Sequence, residues 1–439
     1  MTRMLIGRRA ALQGLAATTA MTALPRMAYA QETTLRWWSP QAAPAQVAAY
    51  ETQIANFEAA NPGIKVVFET TSDEGYAPQL AAAFSSGEVP DIVTHLPSFA
   101  VQSYYANGLV EPFNDVIEMI GADDYYDGAN NVFRAADGNY CGTGIGNSAA
   151  NMLWLRTDLM EEAGIGAAPT TWDELRAAAQ AMQKNGIYGA PLPYGANSMT
   201  TLIFSGVIHQ AGGQIFDTDL NVAIDSQETR DALEWYGAMR ELCPPGATNY
   251  SWGEAITAFV SGATATGIYT GRVLGNVNAQ NPPIADHVTC VRYPTKSADI
   301  APWTFNDFPS VFIPAQSKNI EMAKKFAASL FDPEGYIQQL HAAPGHVLPV
   351  LKSINENPAY QDNEIIQKYP EEVDLMSQAA AGGFNLGYES PNHPSNEKAG
   401  EVVGSGVIAE MVQRVILNGD NVDEAVGAAA KAIEDIMNG

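Results

Sequence analysis

Residues 33–94 read TTLRWWSPQAAPAQVAAYETQIANFEAANPGIKVVFETTSDEGYAPQLAAAFSSGEVPDIVT. Apolar residues alternate with polar ones where strands are expected, and they recur at helical spacing between those stretches. The predicted elements are strands at 33–38, 64–68 and 91–94 and helices at 44–60 and 76–86. Three strands joined by two helices favour right-handed crossovers and a parallel sheet. The chain therefore begins as an α/β unit.

The ends of these strands mark a candidate ligand site. In open α/β sheets, ligands bind beyond the carboxyl ends of the strands. Segments 38–41 and 94–99 follow the first and third strands, so we expect them to line a crevice. Capping boxes that start at Thr171 and Ser251 predict further helices. Apolar stripes after residue 405 predict a helical C-terminal part.

Composition excludes several classes of protein. The chain has 439 residues, of which 46% are hydrophobic and 16% charged, so it can bury large cores and is not largely disordered. Its length indicates two or three domains. The net charge of −26 at pH 7 repels phosphate backbones and anionic lipid. Nucleic acid and membrane surfaces are thus poor partners for this chain.

Residues 1–30 resemble an export signal. Arg8 and Arg9 precede an apolar run over 10–24, and residues 28–30 form an Ala-Tyr-Ala cleavage site. The arginine pair favours the twin-arginine route, although Gly7 departs from its usual pattern and Sec export stays open. The first cysteine is Cys141, which argues against a lipid anchor. No later stretch reaches about 18 uninterrupted apolar residues, so a periplasmic rather than integral membrane protein is predicted.

The sequence offers no signature of a cofactor or metal site. The glycine run at 142–146 is not a nucleotide-binding fingerprint, and zinc-type and nucleophile-elbow motifs are absent from the sequence. We therefore predict no cofactor and no metal. Cys141, Cys243 and Cys290 allow at most one disulfide within the chain, and its pairing stays open.

A series of short motifs runs through the rest of the chain. They occupy residues 57–66, 86–93, 105–109, 137–142, 153–165, 169–175, 212–217, 258–262 and 317–326. In this order they resemble the extracellular solute-binding proteins of ABC importers. The most similar group is the carbohydrate-binding family that includes maltose-binding protein. The motifs span nearly the whole chain after residue 30, and their order carries the resemblance.

The resemblance implies a two-lobed α/β fold with the ligand cleft between the lobes. Each lobe would be a mostly parallel sheet flanked by helices. The implied divisions are a signal peptide at 1–30, lobe one at 31–146 with a return segment at 304–350, and lobe two at 147–303 with a C-terminal helical part at 351–439. The implied role is capture of a sugar-like solute by lobe closure and its delivery to the transmembrane subunits of a permease. No catalysis is implied, and a monomer is expected.

Sugars present apolar ring faces and a rim of hydroxyls, so aromatic and hydrogen-bonding side chains should bind them. The aromatic candidates are Trp38, Trp252, Tyr269 and Trp303. The polar candidates are His95, Ser98, Asn147, Ser148, Arg272, Asn306, Asp307 and His346. By the resemblance, Arg272 stands where maltose-binding protein carries a stacking tryptophan. His95 and Ser98 replace the family's aromatic and acidic sugar ligands, a departure that argues against maltose itself.

Two alternative functions stay open at this level. Arginine can form paired hydrogen bonds with a carboxylate, sulfonate or phosphate, so Arg272, with His95, could anchor an anionic sugar derivative or a glycerol phosphodiester. A secreted glycoside hydrolase would instead need two carboxylates about 5–10 Å apart across a cleft. The sequence contains 49 acidic residues and does not exclude such a pair.

Overall fold

The computed structural model describes residues 33–439 apart from residues 72, 127, 383 and 392. The predicted export signal at 1–30 lies outside the described residues. Within the described ranges, no helix is both long enough and apolar enough to cross a membrane. Cys141, Cys243 and Cys290 are all buried and free of disulfides.

The described part of the chain contains the following strands and helices. The strands are β1 (Thr33–Ser39), β2 (Ile64–Thr70), β3 (Ile92–Thr94), β4 (Thr143–Gly144), β5 (Ser148–Ala149), β6 (Met152–Arg156), β7 (Thr266–Tyr269), β8 (Val288–Val291), β9 (Asn306–Asp307) and β10 (Ser310–Phe312). The helices are α1 (Pro44–Ala60), α2 (Asp73–Ser86), α3 (Ser98–Ala106), α4 (Asn114–Ile120), α5 (Thr157–Glu162), α6 (Trp172–Met182), α7 (Ser198–Gln210), α8 (Gln227–Ala238), α9 (Trp252–Val260), α10 (Arg272–Gln280), α11 (Pro282–Ala285), α12 (Ile320–Ser329), α13 (Pro333–His341), α14 (Lys352–Asn355), α15 (Pro358–Gln361), α16 (Glu364–Lys368), α17 (Pro370–Ala380), α18 (Ala399–Ser405), α19 (Val407–Ile416) and α20 (Val422–Asn438).

The first sheet contains the unit predicted from residues 33–94. Its strand order is β2-β1-β3-β10-β4, and β1 pairs in parallel with both β2 and β3. Strand β10 returns from much later in the chain and runs antiparallel to β3 and β4. The ring of Trp37 packs against Tyr50 of α1 and Phe326 of α12, so these helices cover one face of the sheet.

The second sheet corrects one expectation. Its order is β7-β6-β8, and both pairings are antiparallel, whereas the resemblance implies a mostly parallel sheet in each lobe. Strands β7 and β8 share one direction and are joined by the helical crossover α10–α11, as in a parallel unit. Strand β6 lies between them and runs in the opposite direction. The chain reaches β6 directly from the first sheet, through residues 145–151.

Two segments of the chain connect the sheets. Residues 145–151 lead from β4 to β6, and residues 292–309 lead from β8 to β10. They pair with each other through β5 and β9, where Ser148 lies opposite Asp307. We call these two segments the hinge. Residues 343–348 pack against the hinge, since Leu348 bridges to Asn147.

The helices after residue 350 lie on both sides of the hinge. Helix α15 packs on α13, and the Ser353 backbone N–H at α14 donates to Asp124, so both short helices lie beside the first sheet. A lobe boundary at residue 350 therefore falls too early for them. Helix α17 packs on β5 and β8, while α18 contacts both α3 and α7.

A buried carboxylate fixes the C-terminal part against α7. Glu389 accepts hydrogen bonds from the backbone N–H groups of Ile215 and Phe216 at 2.9 and 3.0 Å. Its Oε2 also lies 2.9 Å from Nε2 of His209, and the side chains of both residues are more than 90% buried. The carboxylate thereby satisfies two buried backbone N–H groups.

We expect the substitution Glu389→Ala to lower the free energy of unfolding by about 3–5 kcal/mol, because it leaves these buried donors without an acceptor. Urea denaturation of the two proteins measures the difference. Glu389→Gln keeps one carbonyl oxygen and should lose less. A loss below about 1 kcal/mol for Glu389→Ala would contradict the assigned role.

Candidate functional site

A cavity of about 210 Å³ opens where the first sheet, the hinge and the second sheet meet. Its walls are formed by Pro40, Gln41, Gln46, His95, Ser148, Arg272, Asp307, Pro309, Ala343, His346 and Val347. The lining thus combines polar side chains with a few aliphatic ones, and among these residues no Trp, Tyr or Phe ring takes part. Five of the lining residues are among those predicted from sequence.

His95 forms the wall on the side of the first sheet. It follows β3 with φ of +69°, a left-handed conformation that a non-glycine residue seldom adopts and that clusters at functional sites. The ring is fixed by Ser39 Oγ, 3.2 Å from Nδ1, and by the Tyr50 hydroxyl, 3.5 Å from Nε2. Burial lowers the pKa of His95 to about 3, so the imidazole is neutral, and these two hydroxyls engage its one donor and its one acceptor.

His346 and Ser148 form the floor of the cavity. The Ser148 hydroxyl donates to the backbone carbonyl of His346. Nδ1 of His346 lies 2.9 Å from the Thr270 hydroxyl, which connects residues 343–348 to the end of β7. Burial, and then the positive charge of Arg272, lower the pKa of His346 to about 3. A second neutral imidazole therefore faces the cavity.

Two glycines bring the second sheet to the floor of the cavity. A Cβ atom at Gly271 would lie 1.8 Å from the backbone oxygen of Gly345 and 2.5 Å from its carbon. Gly345 itself has φ of +75°, in the left-handed region that favours glycine. Backbone atoms cannot yield as a flexible side chain does, so this approach requires glycine at position 271.

Two unpaired charges face the cavity. Arg272 begins α10, and no described residue forms an ion pair or hydrogen bond with its guanidinium. Asp307 keeps contact with the solvent of the cavity, and its carboxylate likewise has no hydrogen-bond partner among the described residues. The surrounding protein disfavours the charged form and raises the pKa of Asp307 to about 6. An arginine that lines a cavity and has neither an acidic nor a carbonyl partner among the described residues is a candidate ligand-binding residue.

Other predicted residues lie outside this cavity. Trp38 is buried, and its indole N–H donates to Glu69 while Arg36 lies over its ring at 5.5 Å. Ser98 is buried at the start of α3, where its hydroxyl accepts a hydrogen bond from Asn385. These groups are occupied by partners within the chain.

The side-chain N–H groups of the two predicted asparagines also have partners within the chain. The side-chain amide of Asn147 donates to the Ala380 carbonyl at 2.8 Å, and that of Asn306 donates to the Thr304 carbonyl at 3.0 Å. Both residues are buried in the hinge, and each retains a side-chain oxygen without a partner among the described residues. We assign them to holding the hinge rather than to the cavity wall.

The predicted aromatic residues other than Trp38 lie together, away from the cavity. Trp303 stacks on His209 with ring centroids 4.2 Å apart, and its indole N–H donates to the Glu389 carbonyl. Trp252 packs against this cluster and meets Tyr269 edge to face at 5.5 Å. Both Trp252 and Tyr269 lie outside the residues that line the cavity.

The structure adds Gln41 and Gln46 to the site. Gln41 lies in the segment after β1 that the sheet topology marks as a crevice rim. Gln46 lies in the first turn of α1, and its side-chain amide donates to the Tyr50 hydroxyl at 3.1 Å. No sequence motif identifies Gln46 as a site residue. Its position shortly after segment 38–41, which was expected to line the crevice, could have suggested it.

The geometry bears on the alternative chemistries. Among the cavity-lining residues, Asp307 is the single carboxylate, whereas a glycosidase needs two. Within the described part of the chain, no group of three or more His, Cys, Asp or Glu side chains is arranged to hold a metal ion. The arrangement is suited to hydrogen bonding with a polyhydroxylated molecule.

Two lobes with a polar cavity at their hinge define a binding protein for a small solute. Residues 39–337 match the family of bacterial extracellular solute-binding proteins, and the chain belongs to that family. The ABC transporter periplasmic-binding protein YcjN of Escherichia coli (strain K12) is 25% identical over 392 residues, which are 88% of each chain.

Solved structures establish the same fold. A solute-binding protein of Thermotoga lettingae TMO bound to α-D-tagatose has a TM-score of 0.76 at 22% identity, covering 92% of this chain and 100% of the other. The maltose-bound MalE3 protein of T. maritima has a TM-score of 0.78 at 20% identity, with the same coverage.

Asp307 gives a pH-dependent prediction. Its pKa is about 6 in the folded protein and lower in the unfolded chain, so the folded state holds the proton between about pH 4 and pH 6. Stability from this group is present at pH 4 and is lost as the pH rises through 6. Asp307→Asn should therefore raise the melting temperature at pH 7.5 and change it little at pH 4. Equal shifts at both pH values would contradict the assignment.

Proposed function

We propose that this protein is the periplasmic binding component of an ABC importer and captures a sugar or a sugar-like polyol. The carrying observation is the cavity itself, in which Arg272 and Asp307 lack partners within the described residues and two histidines are neutral. Hydroxyl groups both donate and accept, so one ligand can bind Arg272, Asp307 and His346 together. The sugars bound by solved relatives and the similarity to YcjN, named as an ABC transporter periplasmic-binding protein, support the proposal.

Lobe closure is the proposed working step. The proposed first lobe is made of residues 31–146 and 304–350 together with α14 and α15, and it contributes His95 and Gln41. The second lobe contributes Arg272, and the hinge contributes Ser148. A ligand that contacts all three parts favours the closed form by its difference in affinity for the closed and open states. The closed form then docks on the permease.

Further parts of the proposal concern the oligomeric state, the absence of catalysis and the export of the protein. We infer that the protein is a monomer, carries out no catalysis and needs no cofactor or metal. Residues 1–30 would direct export, by the twin-arginine route, to the periplasm. Incubation with oligosaccharides should release no reducing sugar.

A thermal-shift panel tests the ligand class. Ligand at about 100 times its dissociation constant stabilises a protein by about 2.7 kcal/mol. The panel contains neutral sugars, polyols and their carboxylated or phosphorylated forms. A shift with neutral sugars or polyols is the expected result. A shift with anionic compounds alone would favour the second candidate, an anionic sugar derivative anchored by the unpaired Arg272. No shift with any sugar or polyol would overturn the proposal.

A further inference from the structure

The residues from Phe384 to Glu389 contact the hinge, α3 and the loop that follows α7. We call residues 384–389 the wall segment. Its first residue accepts a hydrogen bond from the Asn306 backbone N–H at 2.8 Å, and Phe384 bridges to Phe305 of the hinge. Its last residue, Glu389, binds two backbone N–H groups beside α7. The wall segment therefore reaches from the hinge to the second lobe.

The wall segment is also fastened to α3 beside the first sheet. Asn385 donates from its side-chain amide to the Ser98 hydroxyl at 2.9 Å, and it accepts from the Gly387 backbone N–H at 2.9 Å. A Cβ atom at Gly387 would lie 3.0 Å from Oε1 of Gln102, so the backbone approaches α3 closely. Asn385 and Glu389 are both buried. The segment is thus a built part of the protein, with its polar side chains satisfied.

The wall segment packs against aromatic residues that the sequence predicts to stack on sugar rings. Phe384 packs against the cluster of Trp303 and Phe305, and Trp252 packs on the same cluster. One face of Trp303 is already stacked on His209. These rings contact the protein's own side chains, and none of them lines the cavity.

The cavity that remains for a ligand is small and is lined mainly by polar side chains. The cavity of about 210 Å³ lies below the range of about 300–1,000 Å³ that is usual for drug-sized ligands. We infer that a longer sugar would have to reach the aromatic cluster against which Phe384 packs. We propose that the wall segment limits the ligand to a single sugar unit or a polyol of that size. This inference rests on the proposed capture of a sugar-like solute.

Calorimetric titration of the mature protein tests the size limit. The panel contains hexoses, pentoses and their polyols, together with disaccharides and trisaccharides built from the same hexoses and pentoses. We expect one single-unit compound to bind at least 100-fold more tightly than its disaccharide or trisaccharide. Equal or tighter binding of a disaccharide would overturn the size limit and leave the proposed function standing. Binding of no sugar or polyol would overturn both.

The variant Phe384→Ala tests whether the Phe384 ring causes the size limit. Removal of the ring should raise the affinity for the disaccharide at least tenfold and change the affinity for the single unit less than threefold. Tyr388→Phe is the matched control, since it removes only the hydroxyl that donates to the Pro391 carbonyl, and it should leave both affinities unchanged. Equal losses of both affinities would overturn the role of Phe384. If Phe384→Ala does not fold, the titration of the unmodified protein decides the size limit.

Discussion

Replacement of Arg272 by alanine should weaken ligand binding by about 10- to 100-fold. A hydrogen bond to a charged group contributes about 1.5–3 kcal/mol, and the guanidinium is free to donate to a ligand in the cavity. The melting temperature of the empty protein should change little, because no described residue pairs with this side chain. Calorimetry with the best ligand of the panel measures the first effect, and a thermal melt measures the second.

The matched control for Arg272 is a second arginine of the second lobe. Arg240 donates to the Ile416 carbonyl on the surface and lies outside the cavity lining. Arg240→Ala should leave the ligand affinity unchanged. Equal affinities for the unmodified protein and Arg272→Ala would remove Arg272 from the site.

The substitution Gly271→Ala should weaken ligand binding by at least tenfold and lower stability by about 1–3 kcal/mol, the usual cost of overpacking. The added methyl group would overlap the Gly345 carbonyl. Relief of the overlap must move the start of α10 away from residues 343–348. Arg272 and His346 stand on the two sides of this contact, so their separation changes the cavity. Calorimetry and urea denaturation measure the two effects.

Gly275 offers the comparison within the same helix. A Cβ atom at Gly275 would meet no atom within 4 Å. Gly275→Ala should keep the ligand affinity and raise stability by up to about 1 kcal/mol, since alanine favours helix interiors over glycine. If both alanine variants bind ligand as the unmodified protein does, the Gly271–Gly345 contact does not set the cavity.

The local pattern of apolar and polar residues was sufficient to predict much of the fold of the first lobe. The predicted unit over residues 33–94 is confirmed, including the parallel pairing of β1 with β2 and β3. Trp37 lies in the core on the same face as Leu35, as the alternation predicts. The direction of β6 was not readable, because it depends on where the chain leaves the first sheet rather than on the sequence of the strand.

The candidate site was partly predictable for the same reason. His95 and Arg272 follow directly after strands, where topology places ligand-binding residues, and both line the cavity. Trp303 and Ser98 carry suitable side chains, but their partners Glu389 and Asn385 come from the C-terminal part of the chain. Contacts between residues so distant in sequence leave no local signal.

A crystal structure with the best ligand of the panel tests the central claim most directly. The account predicts one ligand molecule in the cavity at the hinge. The guanidinium of Arg272 and the carboxylate of Asp307 should each lie within about 3.2 Å of a ligand oxygen. Ligand bound elsewhere, for instance in the surface groove beside Tyr188 and Tyr250, with the hinge cavity filled only by water, would contradict it.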